Sequence, residues 1–283
     1  MAAISPIHSI NTVDSTPKHN LPTERSVMAE ANPNRSTTID RNSSPTQFQK
    51  IVAEMMGTYI LIFAGCAAAL VDKLQSLTIV GIALVWGLAL MAVIYTLGHV
   101  SGAHFNPAVS IALAAARKFN WKHVPMYILA QLLGATLASL TLKVLFNDKD
   151  EIRVITTQYA DSTTHLEAIT WEFIITFILM FTILGVATDD RASEGLAGVA
   201  IGGTLLFNVM IAGPITGASM NPARSLGPAV ASGVYKNLWV FIVAPVIGAL
   251  AAALVYSVLR VPKTEVPEEK ESTRSVYNEL YDP

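Results

Sequence analysis

The chain has 283 residues, of which 52% are hydrophobic and 14% charged, and its formal net charge is -2. This balance excludes the basic surface that nucleic-acid binding requires, and the apolar residues fall into blocks long enough to cross a membrane. The single cysteine, Cys66, excludes an intrachain disulfide.

Two polar tails are predicted at the ends of the chain. Residues 1–49 are rich in Ser, Thr, Asn and Pro and contain no apolar run that could form the core of a signal peptide. Residues 261–283 are charged and contain few large apolar side chains. Such compositions predict disorder, and a membrane domain is expected between the tails, over 50–260.

Six apolar blocks in this middle part are long enough to span a bilayer. They cover residues 51–71, 77–98, 124–146, 168–187, 196–212 and 238–259. With six spans both tails lie on the same side of the membrane. Most of the 19 lysines and arginines lie in the tails and in the 99–123 and 188–195 loops, which predicts that these segments, and both termini, are cytosolic.

Two similar stretches follow the second and fifth blocks. They read Ser-Gly-Ala-His-Phe-Asn-Pro-Ala-Val-Ser at 101–110 and Thr-Gly-Ala-Ser-Met-Asn-Pro-Ala-Arg-Ser at 216–225. Asn is a good N-cap and Pro is favoured at the first helical position, so each stretch predicts a helix start. The apolar run after each start is only about ten residues long, which covers about half of a bilayer core. Each is therefore predicted to be a re-entrant half-helix. The two starts are formed by Asn106, Pro107 and Ala108, and by Asn221, Pro222 and Ala223.

The two halves of the chain, about 50–146 and 168–259, are internal copies. Residues of the first span recur in the fourth: Glu54, Thr58 and Phe63 correspond to Glu172, Thr176 and Phe181. Because three spans separate equivalent points, the second copy is inverted in the membrane. The predicted fold is an all-α membrane protein with six transmembrane helices and two re-entrant half-helices that meet near the midplane. Irregular backbone at that depth predicts a cavity, into which the amide hydrogens of the two asparagines are expected to point, and the positive helix ends facing it disfavour cations.

These residues resemble the aquaporin, or major intrinsic protein, family. The resemblance is carried by the paired Asn-Pro-Ala boxes, Ser-Gly-Ala-His at 101–104, Arg224 and the repeated membrane Glu, and it covers 48–260. The stretches around the boxes are similar to the nodulin-like intrinsic proteins of plants. The resemblance implies a passive channel rather than an enzyme, with no cofactor, assembled as a homotetramer in the plasma membrane or endoplasmic reticulum. It also implies a kinase as a partner at the C-terminal tail, where Ser272, Thr273 and Ser275 are candidates.

The resemblance further implies a selectivity filter made by Trp86, Val209, Ala218 and Arg224. Val209 and Ala218 stand where strict water channels of the family carry His and a small polar residue or Cys. Such a rim is expected to pass water and glycerol-like solutes and to exclude protons and ions. The subfamily adds ammonia, urea, lactic acid and uncharged arsenite as candidate solutes, whereas the indole of Trp86 argues against boric and silicic acid. Ser225 and the Phe241-Ile242 pair depart from the pattern of glycerol channels.

Several residues have two interpretations. Glu54 and Glu172 are either proton-relay carboxylates, as in an ion-coupled secondary transporter of a small neutral solute, or acceptors that hold the re-entrant loops. His104 is either a pH sensor or a packed loop residue. Trp86 belongs either to the filter or to an interfacial aromatic belt. A membrane scaffold is a further alternative, and the acidic loop 147–167 is read as a solvated face rather than a metal site.

Overall fold

A computed structural model of the protein describes residues 44–146, 151–193 and 195–261. The two predicted tails lie almost wholly outside this part of the chain, and so do the candidate phosphorylation residues Ser272, Thr273 and Ser275.

Eight α-helices form the described part of the chain. They are α1 Gln47–Gln75, α2 Thr78–Ser101, α3 Pro107–Ala115, α4 Val124–Leu145, α5 His165–Thr188, α6 Ala197–Thr216, α7 Pro222–Ser232 and α8 Val240–Leu259. Six of them are long and apolar enough to cross a membrane. The other two, α3 and α7, contain only 9 and 11 residues. The predicted fold, with six spans and two half-helices, is confirmed.

Capping boxes set the starts of two of the long helices. Helix α1 begins at Gln47, inside the segment predicted as a tail, because Thr46 and Gln49 form a capping box that satisfies first-turn amides. Helix α5 begins in the same way, with Thr164 and Glu167. These two spans therefore begin a few residues before the apolar blocks of the sequence.

The two halves pack as an inverted repeat. Helix α1 packs against α4 and α2, and helix α5 packs in the same way against α8 and α6. Helices α2 and α6 run antiparallel across the middle, so that Gly213 lies by Ile79 and Gly198 lies by Tyr95. Each half-helix packs mainly against the other half of the chain, α3 against α8 and α7 against α4. This exchange brings both half-helix N-termini to the centre of the bundle.

Two glycines at equivalent places let the long helices approach closely. A Cβ atom at Gly134 would lie 2.3 Å from the carbonyl oxygen of Met55, where α4 crosses α1. A Cβ atom at Gly248 would lie 2.4 Å from the carbonyl oxygen of Phe173, where α8 crosses α5. Backbone contact of this kind is the usual way in which membrane helices gain packing energy.

Replacing Gly134 by Ala is therefore expected to destabilise the protein, because the methyl group meets backbone that cannot rotate away. We expect a loss of about 1–3 kcal/mol, typical of overpacking, seen as a lower midpoint of thermal unfolding in detergent. Gly203→Ala is the matched control, since a Cβ atom at Gly203 in α6 would meet nothing within 4 Å. Equal midpoints for the two variants would contradict this account of the crossing.

Candidate pore

Each half-helix begins at the asparagine of its box. The Oδ1 atom of Asn106 accepts a hydrogen bond from the amide of Ala108 at 2.9 Å. The Oδ1 atom of Asn221 accepts from the amide of Ala223 at 2.9 Å and from that of Arg224 at 3.3 Å. The prolines of both boxes occupy the first helical position, and the alanines are fully buried. The local chemistry of the boxes thus produces the two predicted helix starts.

The same asparagines connect the two boxes to each other. The Nδ2 atom of Asn106 donates to the carbonyl oxygen of Met220 at 2.8 Å, and the Nδ2 atom of Asn221 donates to that of Phe105 at 2.9 Å. The sequence predicted that these amide hydrogens point into a lumen. One hydrogen of each amide is used in this reciprocal link instead, which leaves one on each side chain for a solute.

The two loops that lead into the boxes have an unusual backbone. Ala103 and Phe105 in the first loop have φ of 53° and 49°, and Ala218 and Met220 in the second have φ of 45° and 52°. Non-glycine residues rarely adopt this left-handed conformation, and it persists only where surrounding contacts enforce it. The enforcing contacts come from two buried carboxylates.

Glu54 holds the first loop. Its Oε1 atom accepts hydrogen bonds from the amide of His104 at 2.9 Å and from the hydroxyl of Ser101 at 2.7 Å. Its Oε2 atom accepts from the amide of Phe105 at 2.7 Å and from the Nε2 atom of Gln131 at 2.9 Å. The carboxylate is fully buried. All four donors belong to the loop or to the helices α2 and α4 beside it.

Glu172 holds the second loop in the same manner. It accepts hydrogen bonds from the amides of Ser219 and Met220, both at 2.9 Å, and from the hydroxyl of Thr216 at 2.7 Å. This side chain is also fully buried. The symmetry of the two arrangements favours loop support over proton relay as the role of these acids.

His104 is packed within the first loop. Its Nδ1 atom lies 3.0 Å from the Oγ atom of Ser110, and its ring contacts Phe119 and Tyr127 with centroids 4.6 and 5.0 Å away. Only 7% of the residue is exposed. Since the imidazole faces aromatic rings and a hydroxyl, this environment favours the packed-loop interpretation.

A cavity of about 450 Å³ joins the predicted site residues. One face of α2 lines it with Trp86, Leu90, Ile94 and Gly98, and one face of α6 lines it with Ala197, Ile201, Leu205 and Val209. The four-residue spacing on both helices keeps these side chains on one face, so the cavity follows the helices along most of their length. Asn106 and Asn221 line its middle, and His104 lines it as well.

The four residues predicted as the filter lie together at one end of this cavity. Trp86, Val209, Ala218 and Arg224 all line it, and each is at most 9% exposed. The Cζ atom of Arg224 lies over the Trp86 ring, 5.1 Å from its centroid. This end has three apolar sides and one guanidinium.

Arg224 is fixed by the 147–167 loop, which its acidic residues predicted to be a solvated face but whose Ile155 and Thr157 are buried. Its Nη1 atom donates to the carbonyl oxygen of Ile155 at 2.9 Å and lies 3.5 Å from the Oγ1 atom of Thr157. The Thr157 hydroxyl donates in turn to Ser225 at 2.7 Å, and the hydroxyls of Ser225 and Ser219 are 2.6 Å apart. Thr157 lies far along the chain from the box it supports, so no local pattern identifies it.

The opposite end of the cavity is bordered by Lys118, Thr188 and Ala197. The connection between α5 and α6 is tied down here, because Asp189 accepts hydrogen bonds from the Arg191 side chain and from the Tyr256 hydroxyl. The hydrogen bonds from Arg191 hold the pKa of Asp189 well below its usual range. Within the described residues, no three His, Cys, Asp or Glu side chains are grouped so that they could hold a metal ion.

Known proteins are similar to this chain over nearly all of the described part. Residues 41–256 match the major intrinsic protein family. Nodulin-26 of Glycine max is 50% identical over 254 residues, which cover 87% of this chain and 92% of that protein. Aquaporin NIP1-1 of Oryza sativa subsp. japonica is 54% identical over 214 residues, or 75% of this chain and 74% of the relative. The X-ray structure of the aquaglyceroporin from Plasmodium falciparum has a TM-score of 0.66 at 28% identity, and the match covers 75% of this chain and 96% of that one.

The two roles considered for Glu54 predict different results for Glu54→Gln. A glutamine turns one acceptor oxygen into a donor that faces other donors, so at least one loop amide loses its partner. We expect a loss of at least about 2 kcal/mol, measured by thermal unfolding in detergent. Glu167→Gln is the matched control, because this exposed acid accepts from the amide of Thr164, which a glutamine oxygen can still do. Unchanged stability of Glu54→Gln, together with loss of uptake driven by a pH gradient, would support a proton relay instead.

Proposed function

Because the chain belongs to the major intrinsic protein family, whose members are passive channels for water and small solutes rather than enzymes, we propose that its cavity is a pore for water and glycerol-like uncharged solutes. We further propose that the pore excludes protons and ions. The paired boxes are proposed as its central constriction, and Trp86, Val209, Ala218 and Arg224 as its selectivity filter.

The observation that carries this proposal is the chemical composition of the cavity end that these four residues line. Trp86, Val209 and Ala218 offer apolar surface, and Arg224 offers several N–H donors that the carbonyl of Ile155 does not use up. Glycerol has a carbon backbone on one side and hydroxyls on the other. A rim of this kind can therefore contact both surfaces of glycerol. Its N–H donors can then replace part of the hydration shell of the glycerol hydroxyls.

Exclusion of ions is supported by the charges along the pore. The N-termini of α3 and α7 both face the centre, where their amide dipoles disfavour cations. The guanidinium of Arg224 adds a fixed positive charge at the filter. The second amide hydrogen of each box asparagine can bind the oxygen of a passing water, which interrupts a continuous proton-conducting chain.

The range of solutes follows from the same relatives. The structural neighbour from Plasmodium falciparum is an aquaglyceroporin, which supports a glycerol-like solute. Ammonia, urea, lactic acid and arsenite are further proposed solutes of the nodulin-like group. Ser225 takes part in the Thr157 network, and Phe241 is fully buried in α8 and does not line the cavity. The departures from the glycerol-channel pattern at Ser225 and Phe241 therefore do not narrow the proposed rim.

Coupling of transport to an ion usually needs unpaired carboxylates within the membrane. Glu54 and Glu172 are instead held by hydrogen bonds from their loops, which favours the channel. We also propose a homotetramer with cytosolic termini in the plasma membrane or endoplasmic reticulum. The orientation is based on the distribution of lysine and arginine.

Stopped-flow measurements on proteoliposomes test the solute. We expect the wild type to pass both water and glycerol, and Val209→His with Ala218→Cys to lose glycerol while keeping water, because the rim becomes narrower and more polar. The matched control is Val209→Thr, which keeps the shape of valine and adds only a hydroxyl. Glycerol flux through the His-Cys variant at the wild-type rate would contradict the proposed filter.

Replacement of Arg224 by Val tests the exclusion of protons. Removal of the fixed charge is expected to raise the rate at which a pH gradient across the vesicle membrane decays, measured with an enclosed pH-sensitive dye. Arg153→Val is the matched control, since it removes an exposed guanidinium from the segment that leads to Ile155. If both variants keep the gradient as long as the wild type does, Arg224 is not the barrier to protons.

A further inference from the structure

The indole of Trp86 lies directly on the backbone of α1. A Cβ atom at Gly65 would lie 2.1 Å from Cε2, 2.2 Å from Cδ2 and 2.5 Å from Cε3 of that ring. Cδ2 and Cε2 are the two carbons shared by the fused rings, so a group this close to both of them must approach through the face of the indole and not through its edge. The face of Trp86 therefore rests where the side chain of residue 65 would be.

The helix that carries Trp86 cannot move away to relieve such a contact. A Cβ atom at Gly87, the next residue, would lie 2.7 Å from the carbonyl oxygen of Gly202 on α6. A Cβ atom at Gly202 would lie 2.6 Å from the carbonyl oxygen of Gly87, so the two backbones are already in contact. Helix α2 is thus held between α1 and α6, and α6 also carries Val209 of the opposite wall.

We propose that Gly65 is a specificity-determining residue of the pore: its missing side chain provides the space for the Trp86 indole, and so it sets the width between that ring and Arg224. The inference rests on the proposed function, because it assumes that this rim selects the solute. Gly65 itself does not line the cavity, so its effect is transmitted through the indole.

The size of the effect follows from contact distances. Carbon atoms that are not bonded pack at about 3.5–4 Å, so a methyl group at residue 65 would force the ring to move by about 1 Å or more. With α1 behind it, the ring moves towards the lumen and towards the guanidinium of Arg224, now 5.1 Å from the ring centroid. A narrower gap obstructs glycerol more than it obstructs water.

A double-mutant cycle in proteoliposomes tests this inference. Permeabilities to water, urea and glycerol are measured for the wild type, Gly65→Ala, Trp86→Ala and the double variant, each normalised to the amount of inserted channel. Gly65→Ala is expected to lower the glycerol-to-water ratio by roughly tenfold, in the range that overpacking by one methyl group can produce. The double variant is expected to have the ratio of Trp86→Ala alone, because no indole remains to be displaced.

Two results would overturn the inference: an unchanged ratio in Gly65→Ala, or an equal decrease when Gly65→Ala is added to Trp86→Ala. Gly203→Ala, a change at a helical glycine in open space, controls for the change in helix propensity. If Gly65→Ala does not insert, the same comparison is made in the background of Trp86→Phe, whose smaller ring the methyl group still displaces but with less strain, and an unchanged ratio there would also overturn the inference.

An error in the proposed solute can be distinguished from an error in this inference about Gly65. A wild type that carries no glycerol would show that the solute was wrongly assigned. The cycle then uses the largest solute that the wild type does carry, or water alone. Gly65→Ala is still expected to lower that permeability, and replacement of Trp86 is still expected to abolish the difference.

Discussion

The hydrogen bonds from two loops to two buried carboxylates are the interaction on which this structure depends. Inside a membrane every peptide group needs a partner, and irregular backbone is tolerated only where the protein supplies one. Glu54 and Glu172 supply it by accepting the amides that precede each box. With the loops fixed, the half-helices can begin near the centre, and each box asparagine can reach the carbonyl of the opposite loop. The centre of the bundle is therefore a pair of loops from the two halves of the chain that are hydrogen-bonded to each other.

The proposed filter depends on this centre for two of its residues and on the crossing of two long helices for the other two. Ala218 has a left-handed backbone on the second loop, and Arg224 lies in the first turn of α7. Trp86 and Val209 are carried by α2 and α6, which cross in close backbone contact at Gly87 and Gly202. The guanidinium is then oriented by the carbonyl of Ile155 from a distant loop. A polar corner thus faces apolar walls at a fixed separation, and we propose that this arrangement distinguishes solutes by size and by hydrogen bonding.

Much of the architecture could be predicted because it depends on local chemistry. Apolar blocks of bilayer length indicate the spans, and Asn-Pro-Ala indicates a helix start wherever it occurs in such a setting. The repetition of Glu54 as Glu172 indicates two inverted halves. The sequence left open whether these acids relay protons or hold loops, and whether His104 senses pH, because each alternative uses the same residue type. Their surroundings favour one alternative in each case: the acids accept hydrogen bonds from loop amides, and the imidazole packs against Phe119 and Tyr127.

By itself, the sequence determined the number of spans, the two half-helices and their starting residues. Its resemblance to a known family implied that Trp86, Val209, Ala218 and Arg224 belong to one candidate site. Only the tertiary structure decided how these parts bond to one another. The link from Asn106 to Met220, the network from Thr157 to Ser225 and the contact of Gly65 with the Trp86 ring each join residues on different elements. Such contacts depend on which faces of the helices meet and on how closely their backbones approach. Neither quantity is encoded in the spacing of residues along one helix, so both become visible only when the helices are packed.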